Sequence, residues 1–117
     1  MTAAQAAGSA AEDSAADFLS RQGLAIVARN YRTRMGEIDL VARDGEVLVF
    51  VEVRLRSSDH YGGGAESIGA RKQARIVAAA RQYLSRLRPE PPCRFDVVTL
   101  DSGRPAWLRA AFDVGSR

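Results

Sequence analysis

Lysine, histidine and cysteine each occur once in this chain, at Lys72, His60 and Cys93. One cysteine excludes an intrachain disulfide and a zinc centre built from several cysteines, and it fits a reducing compartment. No apolar run approaches the roughly 20 residues needed to span a bilayer, so no membrane segment is expected. Residues 1–16 lack a basic start and carry Glu12 and Asp13, unlike a secretory signal, so the expected location is cytoplasmic. Lysine is scarce because arginine replaces it: sixteen of the seventeen basic residues are arginine. An arginine where lysine is expected can therefore reflect composition.

What is present describes a globular protein. A chain of 117 residues suits one domain, with residues 1–7 read as a flexible lead and 8–117 as a single α/β domain. The net charge of +3 permits polyanion binding without requiring it. Ser9-Ala10-Ala11-Glu12 reads as a capping box, and the helix it opens should run to Gly23 with Ala11, Ala15, Phe18 and Leu19 buried. Residues 24–31, 37–43 and 46–55 read as strands, the last two joined by Asp44-Gly45 as a type I′ turn. A polar loop with Gly62-Gly63-Gly64 follows. A helix over 67–88 is then predicted by the spacing of Ile68, Ile76, Ala80, Tyr83, Leu84 and Leu87. Strands over 94–100 and 106–114 complete the order αβββαβ(β), a mixed β-sheet flanked by helices.

With Asp44-Gly45 as the turn, Arg43 faces Glu46, Val41 faces Leu48, Asp39 faces Phe50 and Glu37 faces Glu52. Alternation then sends Glu37, Asp39, Glu52 and Arg54 to one side of the hairpin, and Ile38, Leu40, Val47, Val49, Val51 and Val53 to the other, which is expected to be the core. Two carboxylates about 5 Å apart at an effective dielectric near 20 repel by roughly 3 kcal/mol. A divalent cation, an ion pair with Arg54, or carboxylates splayed into solvent would each relieve this. Magnesium suits the first, since it binds oxygen ligands and often takes one or two carboxylates plus substrate phosphates. A stripe of Arg71, Lys72, Arg75, Gln82 and Arg86 on the second helix can track a phosphate backbone, or simply be a solvated face.

The blocks Gly36-Glu37-Ile38-Asp39-Leu40, Val49-Phe50-Val51-Glu52-Val53-Arg54, Lys72 with Arg75-Ile76, and Arg94-Phe95-Asp96-Val97-Val98 occur in order between residues 11 and 98. In these the chain resembles the YraN family, which looks like a branch of the PD-(D/E)XK, restriction-endonuclease-like fold near the archaeal Holliday-junction resolvases. The resemblance implies that Asp39 and Glu52 bind Mg2+ or Mn2+, that Glu12 is the helix-borne acid joining them, and that Glu37 is typical of the family. Arg54 departs from the pattern, standing where lysine is thought to position water or stabilise the transition state. Arginine keeps the charge but cannot act as a base. Lys72, Arg71 and Arg75 become candidate contacts to nucleic acid, and resolvase-like relatives imply a homodimer.

The expected function is metal-dependent cleavage of DNA phosphodiester bonds, branched DNA included. Its alternatives are a catalytically impaired nucleic-acid-binding module and a protein-interaction domain without metal. The glycine run lacks the Gly-Lys-Ser/Thr of a P-loop. His60 is read as an exposed loop residue, and Cys93 as a small core residue without a third group to orient a nucleophilic pair. Asp96 could face the carboxylate side or pair with Arg94. Tyr31 and Trp107 could stack on bases but fit core or rim packing better.

Overall fold

The computed structural model describes residues 2–56 and 68–113. Its elements are α1 (Ala3–Arg21), β1 (Ala25–Arg32), β2 (Glu37–Asp44), β3 (Val47–Arg56), α2 (Ala70–Leu84), β4 (Cys93–Asp101) and β5 (Arg104–Phe112). The strands form one mixed sheet in the order β1-β2-β3-β4-β5. Neighbours run antiparallel except β3 and β4, which are parallel and joined through α2, as a parallel pair requires a crossover. This is the α/β arrangement read from the sequence. The glycine run at 62–64 and His60 lie outside the described residues.

The sheet is covered on both faces, whereas alternation suggested one. Ala15 and Leu19 of α1 pack with Leu40, Ala42, Val49, Val51 and Val98. Ile76, Ala79, Ala80 and Leu84 of α2 pack on the opposite face with Ile38, Val41, Leu48, Phe50 and Phe95. Burying a side chain the size of Ile76 or Leu84 is worth about 1.5–3 kcal/mol, which ties α2 firmly at its centre and C-terminal end. Strand β3 lies between two neighbours and under two helices, so its sequence reads almost continuously apolar until Glu52.

Several boundaries differ from the expected ones for local reasons. Helix α1 starts at Ala3, because Thr2 and Gln5 form a capping box upstream of Ser9: Thr2 Oγ1 accepts from the Gln5 N–H at 3.1 Å, and Gln5 Oε1 accepts from the Thr2 N–H at 2.8 Å. Residues 3–7, read above as lying outside the helix, are its first turns. Alanine is the strongest helix former, so the upstream cap extends the helix rather than leaving it to begin at Ser9. Helix α2 is shorter than the periodicity suggested. Ile68 is buried ahead of it, its carbonyl accepting from Gln73 Nε2 at 3.0 Å, and Leu87 packs on the core beyond its end.

The β2–β3 turn is Gly45-Glu46, with Asp44 paired to Val47, not Asp44-Gly45. Gly45 alone has the left-handed φ, at 63°, and stands first in the turn, as type II′ requires. The register therefore moves by two residues: Val41 faces Phe50 and Leu40 faces Val51. In the β4–β5 turn both Ser102 and Gly103 are left-handed, the pattern of type I′.

Candidate functional site

A shift of two residues preserves the alternation, so Glu52 stays on the face of Leu48 and Phe50, under α2. What changes is its neighbour. Continuing past Leu40 and Val51, the last paired residues, Asp39 comes level with Glu52 rather than Phe50. Here the alternation of β2 breaks, since Ile38 belongs to the α2 side and Leu40 to the α1 side. Across from this break Asn30 of β1 is left-handed, with φ 54°. The strands part, and Asp39 Oδ2 accepts the Val53 N–H at 2.8 Å in place of a backbone carbonyl.

Asp39 and Glu52 thus meet at the open mouth of the hairpin, within hydrogen-bonding reach of each other. Burial, then the Glu52 charge and more weakly that of Glu12, push the Asp39 carboxyl up to about 7, against the pull of the Val53 N–H. Glu52 is buried, and its Oε2 lies 3.0 Å from Lys72 Nζ and 3.7 Å from Arg54 Nη1. Glu37 is exposed and sits 3.8 Å from Arg32 Nε. Together Glu37, Asp39 and Glu52 form one wall of a cleft of about 450 Å³, and Arg71, Lys72 and Arg75 of α2 form the other. Among the described residues, Arg71 and Arg75 have no ion-pair partner.

A glycine lets the two walls approach each other. Thr33 Oγ1 accepts from the N–H groups of Met35 and Gly36 and donates to the Gly36 carbonyl, closing the β1–β2 turn. That turn presses Gly36 onto α2, where a Cβ would stand 2.3 Å from the Arg75 carbonyl oxygen. Any side chain at Gly36 would force the helix off the hairpin.

The structure brings together six of the eight residues singled out in the sequence: Glu37, Asp39, Glu52, Arg71, Lys72 and Arg75. Arg54 adjoins them through Glu52. Glu12 touches Asp39 only through its field and lines a second cleft, which shares Glu37 with the first. The Lys72–Glu52 pair and the Gly36–Arg75 approach were not legible; the signals were a lone lysine in an arginine-rich chain and a glycine directly before Glu37. Among the described residues no three carboxylate, histidine or cysteine groups are arranged as a metal cage. Asp39 and Glu52 are nonetheless the hard oxygen donors, two in number, that magnesium or manganese takes when water and phosphate complete its shell.

The remaining candidates have structural employment. Asp96 is fully buried and accepts from Arg94 Nε on both oxygens, from Trp107 Nε1 at 2.9 Å and from the Ala110 N–H at 2.9 Å. Trp107 meets Phe18 edge-on and Tyr31 meets Tyr83, so neither ring is set out as a base platform. Burial and then Glu90 push the Cys93 thiol up, away from nucleophilic use. No helix among the described residues is long and apolar enough to cross a membrane.

Comparison with known proteins agrees with the sequence blocks. The family described as "Uncharacterised protein family UPF0102" matches residues 11–100. The chain is 59% identical over 111 residues to a UPF0102 protein of Cupriavidus taiwanensis, covering 93% of this chain and 84% of that one. It is 51% identical over 112 residues to one from Janthinobacterium sp. (strain Marseille), covering 96% and 91%. With one from Nitrosomonas europaea it shares 49% over 116 residues, covering 97% and 98%. On a match spanning the hairpin, α2 and most of β4, this chain belongs to the UPF0102 family, the family named YraN in the resemblance above.

Proposed function

We propose that the cleft is the centre of a metal-dependent, nuclease-like protein acting on DNA phosphodiester bonds, branched DNA among them. The observation that carries this reading is the convergence of Asp39 and Glu52 in one cleft opposite Arg71, Lys72 and Arg75. Two neighbouring carboxylates repel unless a proton or a cation lies between them, and burial together with the Glu52 charge raises Asp39 to about 7. The order of strands and helices also accords with a restriction-endonuclease-like fold, which is an analogy of architecture.

Asp39 and Glu52 would hold Mg2+ or Mn2+, with Glu12 adding negative field from α1. A bound divalent ion supplies Lewis acidity and lowers the pKa of bound water. The protein's own groups do the rest. Arg71 and Arg75 bind the phosphate backbone, and the Lys72 ammonium neutralises Glu52 from its place in the cleft lining. Arg54 adds charge without serving as a base.

The twofold pairing of Glu52 Oε2 with Lys72 and Arg54 favours a second reading: a DNA-binding module in which cations have displaced metal. Titrating Mn2+ and Mg2+ into the protein by calorimetry, beside the Asp39→Ala/Glu52→Ala double variant, decides between them. Saturable heat lost in the variant, followed by cleavage of branched DNA, supports the nuclease. DNA binding without metal binding supports the module, and absence of both removes the proposal.

A further inference from the structure

Next to the acidic centre lies the second cleft, of about 520 Å³, between α1 and β1. Its lining includes Gly8, Ser9, Glu12, Asn30, Arg32 and Glu37, and Glu37 belongs to both clefts. The two differ in charge. The first presents three cations from α2, while the second has Arg32 alone, already 3.8 Å from Glu37, beside two carboxylates. Phosphate suits the first and not the second. Neutral donors and acceptors such as Ser9 and Asn30 suit base edges or sugar.

Gly8 adds an independent observation. It stands inside α1, in a run of alanines, where glycine is the poorest former after proline. Among the described residues nothing lies within 4 Å of where its Cβ would be, so their packing does not require it. What its missing side chain does is leave the cleft open, and left-handed Asn30 faces the same space.

Resting on the nuclease-like reading, we propose that the second cleft receives an unpaired nucleotide adjoining the phosphate held at Asp39 and Glu52. The substrate class is then DNA with a single-stranded junction or arm rather than continuous duplex. A base inside duplex has its pairing edge occupied and cannot enter.

Gly8→Leu tests this, because it fills the cleft from α1 while leaving Asp39, Glu52 and α2 unaltered. Anisotropy in calcium would compare a blunt duplex with the same duplex carrying an unpaired arm. The wild type should favour the armed form about tenfold, the size of one good base-edge contact. Gly8→Leu should lose that preference while keeping duplex affinity and manganese binding. Ser9→Leu, at a neighbouring lining position, serves if Gly8→Leu fails to fold. Equal affinity of the wild type for both forms, or a preference retained in the plugged variant, overturns the inference alone. No binding of either form by the wild type removes the nuclease-like reading together with it.

Discussion

Lys72 Nζ lies 3.0 Å from Glu52 Oε2, joining the chain's one lysine to the buried acid of β3. Lys72 is half exposed and Glu52 is 6% exposed, so the pair falls between a surface bridge and a buried one. Lys72→Ala should destabilise the fold by about 1–2 kcal/mol, chiefly by leaving Glu52 beside Asp39 with only Arg54. Glu52→Gln in the same background should recover most of that loss. Urea unfolding of the four members of the cycle measures it, and additive effects would show that the pair is idle.

The raised pKa of Asp39 makes stability fall with pH over a defined window. Between the unfolded value of 3.8 and about 7 the folded state holds a proton that the unfolded state has released, so unfolding becomes easier as pH rises through that interval. Asp39→Asn imitates the protonated acid and should flatten the slope, melting at or above the wild type at pH 8. A wild-type melting temperature independent of pH between 4 and 7 contradicts this.

Gly36→Ala should cost about 1–3 kcal/mol by overpacking against the Arg75 carbonyl. Gly8→Ala meets nothing and should instead stabilise by about 1 kcal/mol. The two glycines therefore predict thermal shifts of opposite sign. Under the nuclease-like reading, because the clash pushes α2 away from the hairpin, Gly36→Ala should also weaken DNA binding and reduce its dependence on salt, since Arg71, Lys72 and Arg75 retreat together.

Arg54→Lys returns an amine to a position where arginine can supply only charge. Under the nuclease-like reading it should raise cleavage of branched DNA, by up to about 10²-fold if proton transfer limits the rate. Unchanged cleavage would show that Arg54 is not the limiting group.

Asp96→Asn should be among the more damaging single changes, at about 2–3 kcal/mol, although it lies away from both clefts. It leaves Arg94 paired with Asp44 alone and replaces one of the acceptors serving Arg94, Trp107 and Ala110 by a donor. Trp107 is the only tryptophan, so its fluorescence reports the change directly.

The sequence revealed the acidic hairpin because period-two alternation survives an even register shift: Glu52 kept its face although the turn was misplaced by one residue. It did not reveal that Ile38 and Leu40 lie on opposite faces. That break depends on a left-handed Asn30 in a neighbouring strand and on Asp39 replacing a backbone acceptor, both products of tertiary structure. The basic stripe on α2 was legible as helical spacing, but its divided use was not. Arg71, Lys72 and Arg75 reach the cleft, while Gln82 and Arg86 do not line it. Thr2 and Gln5 also fit a capping box, and local pattern alone does not rank them above the equally good one at Ser9.

Since the Val53 amide donates to Asp39 rather than to a carbonyl, one backbone resonance in the middle of β3 is wired to the ionisation of the site. Its nitrogen and proton frequencies should move with the charge on that carboxylate, and the amides of Val49 and Val51 should stay still. Any cation, phosphate or nucleotide that settles in the mouth of the hairpin would thereby announce itself in a single peak, without a label and without turnover.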